Sequence, residues 1–191
     1  MLEPRPKSRL SLDQEFSSAE TPFSVGEFWQ WAFSDLQENV TRGVLAEFLV
    51  AKALGINLSV RQAWDDYDLK TEKGLRVEVK ASGYLQAWRQ QKPSVIQFGQ
   101  LKARSWDDKE GYTSEPQYRA DVFVFAVHTA KRHEDYDMMD LAQWEFYVAD
   151  SETLARLGTT PIGLSKVRRI AEGPVIFSDL KTIVSRYSPK A

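Results

Sequence analysis

Val122, Phe123, Val124, Phe125, Ala126 and Val127 follow one another without a polar interruption. A strand wetted on one side would alternate apolar and polar residues. This run therefore predicts a buried strand over Asp121–His128. The flanking segments are of both kinds. Ser24 and Glu27 have the spacing of a capping box ahead of Phe28, Trp29, Trp31, Ala32 and Leu36, predicting a helix near 24–38. Asn39 or Thr41 then caps a second helix near 42–54, which Gly55 ends. Tyr67–Lys70 and Leu75–Ala81 read as a hairpin turning at Thr71–Gly74, and Ser94–Phe98 and Trp144–Ala149 as strands. Short helices are predicted at Tyr84–Gln91, at Ser151–Leu157 with Ser151 as its cap, and at Ser178–Arg186. The class is mixed α/β, with one domain over 23–191 behind a flexible or loosely docked polar tail at 1–22 that carries Pro4, Pro6 and Pro22.

The chain has 191 residues, enough for one well-packed core, and its six Trp, ten Phe and seven Tyr supply the bulk for it. With no cysteine, disulfides, thiolate chemistry and a Cys-based zinc site are excluded. The charged, proline-bearing start lacks the apolar stretch of a signal peptide, and no segment is long and apolar enough to span a membrane. A cytoplasmic protein is expected, with no membrane partner. The net charge of −2 gives no general affinity for polyanions, although a basic cleft can sit on an acidic protein.

The chemistry concentrates in Leu75–Ser82. Val77 and Val79 fall on one face of the predicted strand, and Arg76, Glu78, Lys80 and Ser82 on the other. Residues i and i+2 of a strand are about 6–7 Å apart, so Glu78 and Lys80 can act on one group. Asp68 lies across the predicted hairpin. Asp66 shares its face in an extended strand, but Asp68 leads directly into the turn. Upstream, Glu47 is embedded among Val44, Leu45, Ala46, Phe48, Leu49, Val50, Ala51, Ala53 and Leu54, which occupy nearly the whole circumference of a helix. A buried carboxylate costs several kcal/mol unless it is paired, protonated or metal-bound. Either an ion pair to Arg42 or Lys80, or a metal, would satisfy Glu47. Carboxylates that hold Mg²⁺ or Mn²⁺ beside a lysine suit phosphodiester hydrolysis: the metal and ammonium activate water and neutralise phosphate oxygens. The Val79 carbonyl, between Glu78 and Lys80, is a further oxygen ligand.

Arg42-Gly-Val-Leu-Ala-Glu47-Phe, Trp64-Asp-Asp-Tyr-Asp68-Leu and Val77-Glu78-Val-Lys80-Ala-Ser82 occur in the order helix, hairpin, strand. This arrangement resembles the PD-(D/E)xK nuclease superfamily, over roughly Thr41 to Phe98. The resemblance implies a restriction-endonuclease-like core, a central mixed β-sheet flanked by helices. It implies a Mg²⁺-dependent (or Mn²⁺-dependent) endo- or exodeoxyribonuclease, acting on DNA in preference to RNA, with a homodimer as one way to cut both strands. Asp68 and Glu78 resemble the family's metal ligands, Lys80 its catalytic lysine and Glu47 its helical acid. Tyr67 stands where the named motif has proline. The alternative is a nuclease-fold protein that binds nucleic acid or a partner protein without cutting.

Gln86 and Gln90 share a face of the helix predicted after Lys80, and the resemblance makes Gln86 a candidate for substrate binding or lysine positioning. Ser82 and Arg89 are candidates for substrate contact, with Trp88 and Lys92 nearby. Lys166, Arg168 and Arg169, and Lys102 and Arg104 beside the long loop 99–119, are basic clusters that more often mark a solvated face. His128 and His133 have no metal-ligand spacing.

Overall fold

The computed structural model describes residues 7–18, 20–57, 59–62, 66–104, 106–107, 111–112, 115–158 and 161–190. In chain order the elements are α1 (Val25–Phe33), α2 (Asn39–Leu54), β1 (Leu69–Lys70), β2 (Arg76–Gly83), β3 (Gln97–Phe98), β4 (Trp106–Asp107), β5 (Gly111–Tyr112), β6 (Val122–His128), β7 (Trp144–Asp150), α3 (Ser151–Leu157), β8 (Ile162–Gly163), α4 (Leu164–Ile170), β9 (Glu172–Val175) and α5 (Leu180–Val184). Five strands form one sheet in the order β1-β2-β6-β7-β9. β2 and β6 are parallel, and every other pairing in the sheet is antiparallel. Among the described residues no helix is long and apolar enough to cross a membrane.

β6 is buried at every residue because alternate side chains feed two cores. On one face Val122, Val124 and Ala126 join Val77 and Val79 of β2 and pack under α2 and α5. On the other, Phe123, Phe125 and Val127 join Tyr147 and Ala149 and pack against α3, α4, β3 and β8. The result is a mixed sheet covered by helices on both sides.

The caps explain where the helices stop. Ser24 and Glu27 form the expected reciprocal capping box on α1. α1 ends at Phe33 rather than near 38 because the Asp35 carboxylate accepts the Gln37 and Glu38 N–H groups in a turn. Glu38, not Asn39 or Thr41, caps α2, accepting from Val40 and Thr41 N–H at 2.8 and 2.9 Å. Gly55, at φ 72°, ends α2 as expected. Asp150 rather than Ser151 caps α3. The expected strand at 94–98 is only Gln97–Phe98, and the last helix is shorter than predicted. Within the described part of 1–22, Gln14, Glu15 and Phe16 pair through their backbones with Phe23, Ser24 and Val25, and Phe16 stacks on Phe23 at 4.7 Å.

Two further expectations are corrected. The segment Tyr84–Gln91 is not helical. The Gln90 side chain accepts from Gln86 N–H and donates to Tyr84 O and Ser94 Oγ, stitching a loop with the bonds a helix would have used. The apolar belt of α2 is not buried all round: Val40, Val44 and Phe48 are exposed, since the sheet covers only one side of the helix.

Asp121 pins the start of the parallel pair. Its carboxylate, almost fully buried, accepts from Arg76 N–H at 2.8 Å, from the Arg76 guanidinium and from Lys190 N–H at 3.2 Å. Burial alone would raise its pKa. The bonds from Arg76 and Lys190 outweigh that and hold it below the ordinary value. The stabilisation from this pair is therefore present above the unfolded carboxyl's pKa and is lost as pH falls through the folded one. Arg76→Ala is expected to cost about 1–3 kcal/mol near neutral pH, since the guanidinium is 36% exposed and two backbone donors to Asp121 remain. The cost should shrink in acid, where Asp121 is protonated, as read by urea unfolding at both pH values.

Candidate active site at the β2 edge

Among the described residues β1 spans two residues and pairs with Arg76 and Val77 of β2 alone. Beyond them the β2 edge is open to whatever the hairpin brings, and the hairpin brings Asp68. Asp68 Oδ2 accepts the Val79 N–H at 2.7 Å. In an extended strand the N–H and C=O of one residue leave on the same side. The Val79 carbonyl therefore emerges on the edge where Asp68 sits.

Glu78 and Lys80 stand in register with Phe123 and Phe125, on the face opposite α2. Lys80 Nζ lies 2.7 Å from Glu78 Oε1, and their side chains are 21% and 17% exposed. Ser82 follows on the same face of β2. Glu47 approaches from α2, on the other face. Its side chain is 12% exposed. Its carboxylate receives Arg61 through Nε and, at 2.6 Å, through Nη2. The partner of Glu47 is thus neither Arg42 nor Lys80. Arg61 is the site residue that sequence reasoning missed, because it lies in an irregular segment with no period or motif to single it out.

Asp68 is the meeting point of these groups. Burial, first, and then the negative charges of Glu78 and Glu47 raise its pKa to about 7, against the lowering effect of the Val79 N–H and Lys80. Its charge also acts on Arg61. The acids thus reach one another electrostatically around the sheet edge, although they come from both faces. Among the described residues they do not form a ready group of three or more metal-ligating side chains. The donors at the edge are carboxylate and carbonyl oxygens, which suit a hard divalent cation. An added positive charge would relieve the repulsion that Asp68 experiences.

Gln86 points into the protein interior. It is buried, its Oε1 accepts from Arg42 Nη2 at 2.9 Å and its Nε2 donates to Gly83 O at 2.8 Å. Buried Arg42 also donates to Leu85 O and to Asn39 Oδ1, so the pair is a strut that fixes the loop leaving β2. Arg89 and Trp88 are exposed on that loop. Arg168 binds Tyr147 and Glu145 over the far face of the sheet. Trp64 and Asp65 lie outside the described residues; Asp66 is exposed. No protein-family model matches the chain, and no curated protein matches it.

Two outcomes follow. With metal chelated, the folded protein retains the Asp68 proton between about pH 4 and about pH 7, where the unfolded chain has lost it. Stability should fall as pH rises through that window, and Asp68→Asn should flatten the fall, as measured by urea midpoints across pH. Gln86→Ala strips buried Arg42 of an acceptor and should cost about 1–3 kcal/mol by the same assay.

Proposed function

We propose that the chain is a metal-dependent nuclease that hydrolyses phosphodiester bonds, DNA in preference to RNA, in the cytoplasm. One observation carries the reading: Asp68 is bonded to the backbone of the strand that holds Glu78 and Lys80, and burial, followed by the charges of Glu78 and Glu47, raises its proton affinity. A carboxylate placed only for stability would not be buried within reach of two other negative charges, which oppose its own ionisation.

In this reading Asp68, Glu78 and the Val79 carbonyl hold Mg²⁺ or Mn²⁺, with Glu47 adjusting the charge from the α2 side. When bound, the metal supplies Lewis acidity to the phosphate and to the attacking water. Lys80, held against Glu78 on the same strand face, orients the water and neutralises a phosphate oxygen. Arg61 keeps the Glu47 charge from repelling the phosphate. Water attacks phosphorus in line with the P–O bond to the leaving sugar oxygen, which breaks as the new P–O bond forms; the water gives up a proton to solvent and the leaving oxygen takes one up.

The second reading is a nuclease-fold binding protein that does not cut. It is favoured by the ion pairs Glu78–Lys80 and Glu47–Arg61, which neutralise two of the three acids without a metal. A metal titration separates the two. Millimolar Mg²⁺ or Mn²⁺ should raise the Tm of the wild type, and Asp68→Asn or Glu78→Gln should abolish the rise. Lys80→Ala should lower metal-dependent cleavage by about 10²- to 10⁴-fold while the chain stays folded. Full cleavage by that variant would remove Lys80 from the chemistry; no metal shift and no cleavage would leave the binding protein.

A further inference from the structure

Phe48 is 46% exposed on the side of α2 that the sheet leaves uncovered, where Val40 and Val44 are exposed too. Its ring helps wall a cavity of about 380 Å³ together with Val44, Ile56 and Tyr67, and Glu47 and Asp68 line the same cavity. That volume lies in the range of small-ligand sites. A second, more open cavity of about 410 Å³ also abuts Phe48, Ile56, Asn57 and Ser59, and is lined by Lys52 and Arg9. The two share those four residues, so one groove runs from the carboxylates past an aromatic ring to two cations. The Lys52 ammonium sits 5.5 Å from the centre of the Phe48 ring. Glu47 lines the first cavity and Lys52 the second, so the acids and the cations lie at opposite ends of the groove.

We propose that this groove binds the nucleotide next to the scissile phosphate of a single-stranded polynucleotide, its base stacked on Phe48 and its outer phosphate on Lys52 and Arg9. The proposal rests on the nuclease reading and names the substrate class for it. The order of the groups matches the order along a strand: phosphate at the acids, base at the ring, phosphate at the cations. Paired bases in a duplex hide their faces in the stack, whereas an unpaired base can present one to an exposed ring. Arg61 neutralises Glu47 at the cavity wall, which lets an anionic strand pass.

The test is fluorescence anisotropy of a labelled oligothymidylate and of a hairpin duplex on the full chain, with Mn²⁺ present and Lys80→Ala as the background that prevents cutting. Phe48→Leu keeps the apolar bulk and removes the ring; Phe48→Trp restores an aromatic face. Phe48→Leu should weaken single-strand binding by about 5- to 150-fold with unchanged Tm, while Phe48→Trp binds like the parent. Lys52→Ala should lower the slope of log affinity against log salt by about 0.7. Equal single-strand affinity for the Leu and Trp variants, or a duplex bound as tightly as the single strand, overturns the groove assignment. If the wild type still cuts with metal and Lys80→Ala does not, that failure leaves the nuclease reading standing. If no variant binds and the wild type does not cut, both fall.

Discussion

The parallel register of β2 on β6 is the constraint on which the rest depends. β6 has no face left for water, so β2 must present Val77 and Val79 to the α2 core. Glu78 and Lys80 are thereby sent to the other face, in register with Phe123 and Phe125. A slip by one residue would exchange the two sets, burying the acid and lysine in the α2 core. The buried Asp121 carboxylate, gripping both the backbone and the guanidinium of Arg76, sits at the start of this pairing and opposes such a slip.

The candidate site exploits an edge that the sheet leaves unfinished. Because β1 stops after two residues, Val79 turns its N–H to a side chain, Asp68, instead of to a neighbouring strand. Polar groups at a sheet edge must find partners, and here the partner is an acid whose own surroundings disfavour its charge. Two cations moderate the cluster, Lys80 from the strand and Arg61 from the segment after α2. The edge is consequently a place where bound positive charge would be stabilising, and the groove along α2 leads directly to it.

Much of this was legible in the residues themselves. The β1–β2 turn, the buried β6 strand, the capping box of α1 and the glycine end of α2 each rest on local rules, and each is present. What misled was context. The apolar belt of α2 says nothing about what covers it, and Phe48 and Val44 face outward. The glutamine spacing after Lys80 fits a helix, but Gln90 bonds the loop backbone instead. β9 was hidden because Gly173 and Pro174 argue against a strand; it survives at the sheet edge, where Gly173 runs at φ 153° and an added Cβ would come within 2.7 Å of Phe146 O.

The chain alone determined which residues carry chemistry on β2 and which face of that strand is apolar, because a strand's period of two follows from backbone geometry. It also determined that Glu47 needs a partner, because burying a carboxylate among apolar side chains carries a cost wherever it occurs. The tertiary structure alone decided that the partner is Arg61, that Asp68 reaches the Val79 backbone, and that Gln86 braces Arg42. Those pairings join residues far apart in sequence. They depend on how short β1 is and on which side of α2 the sheet covers, and neither is encoded in any local pattern of residues.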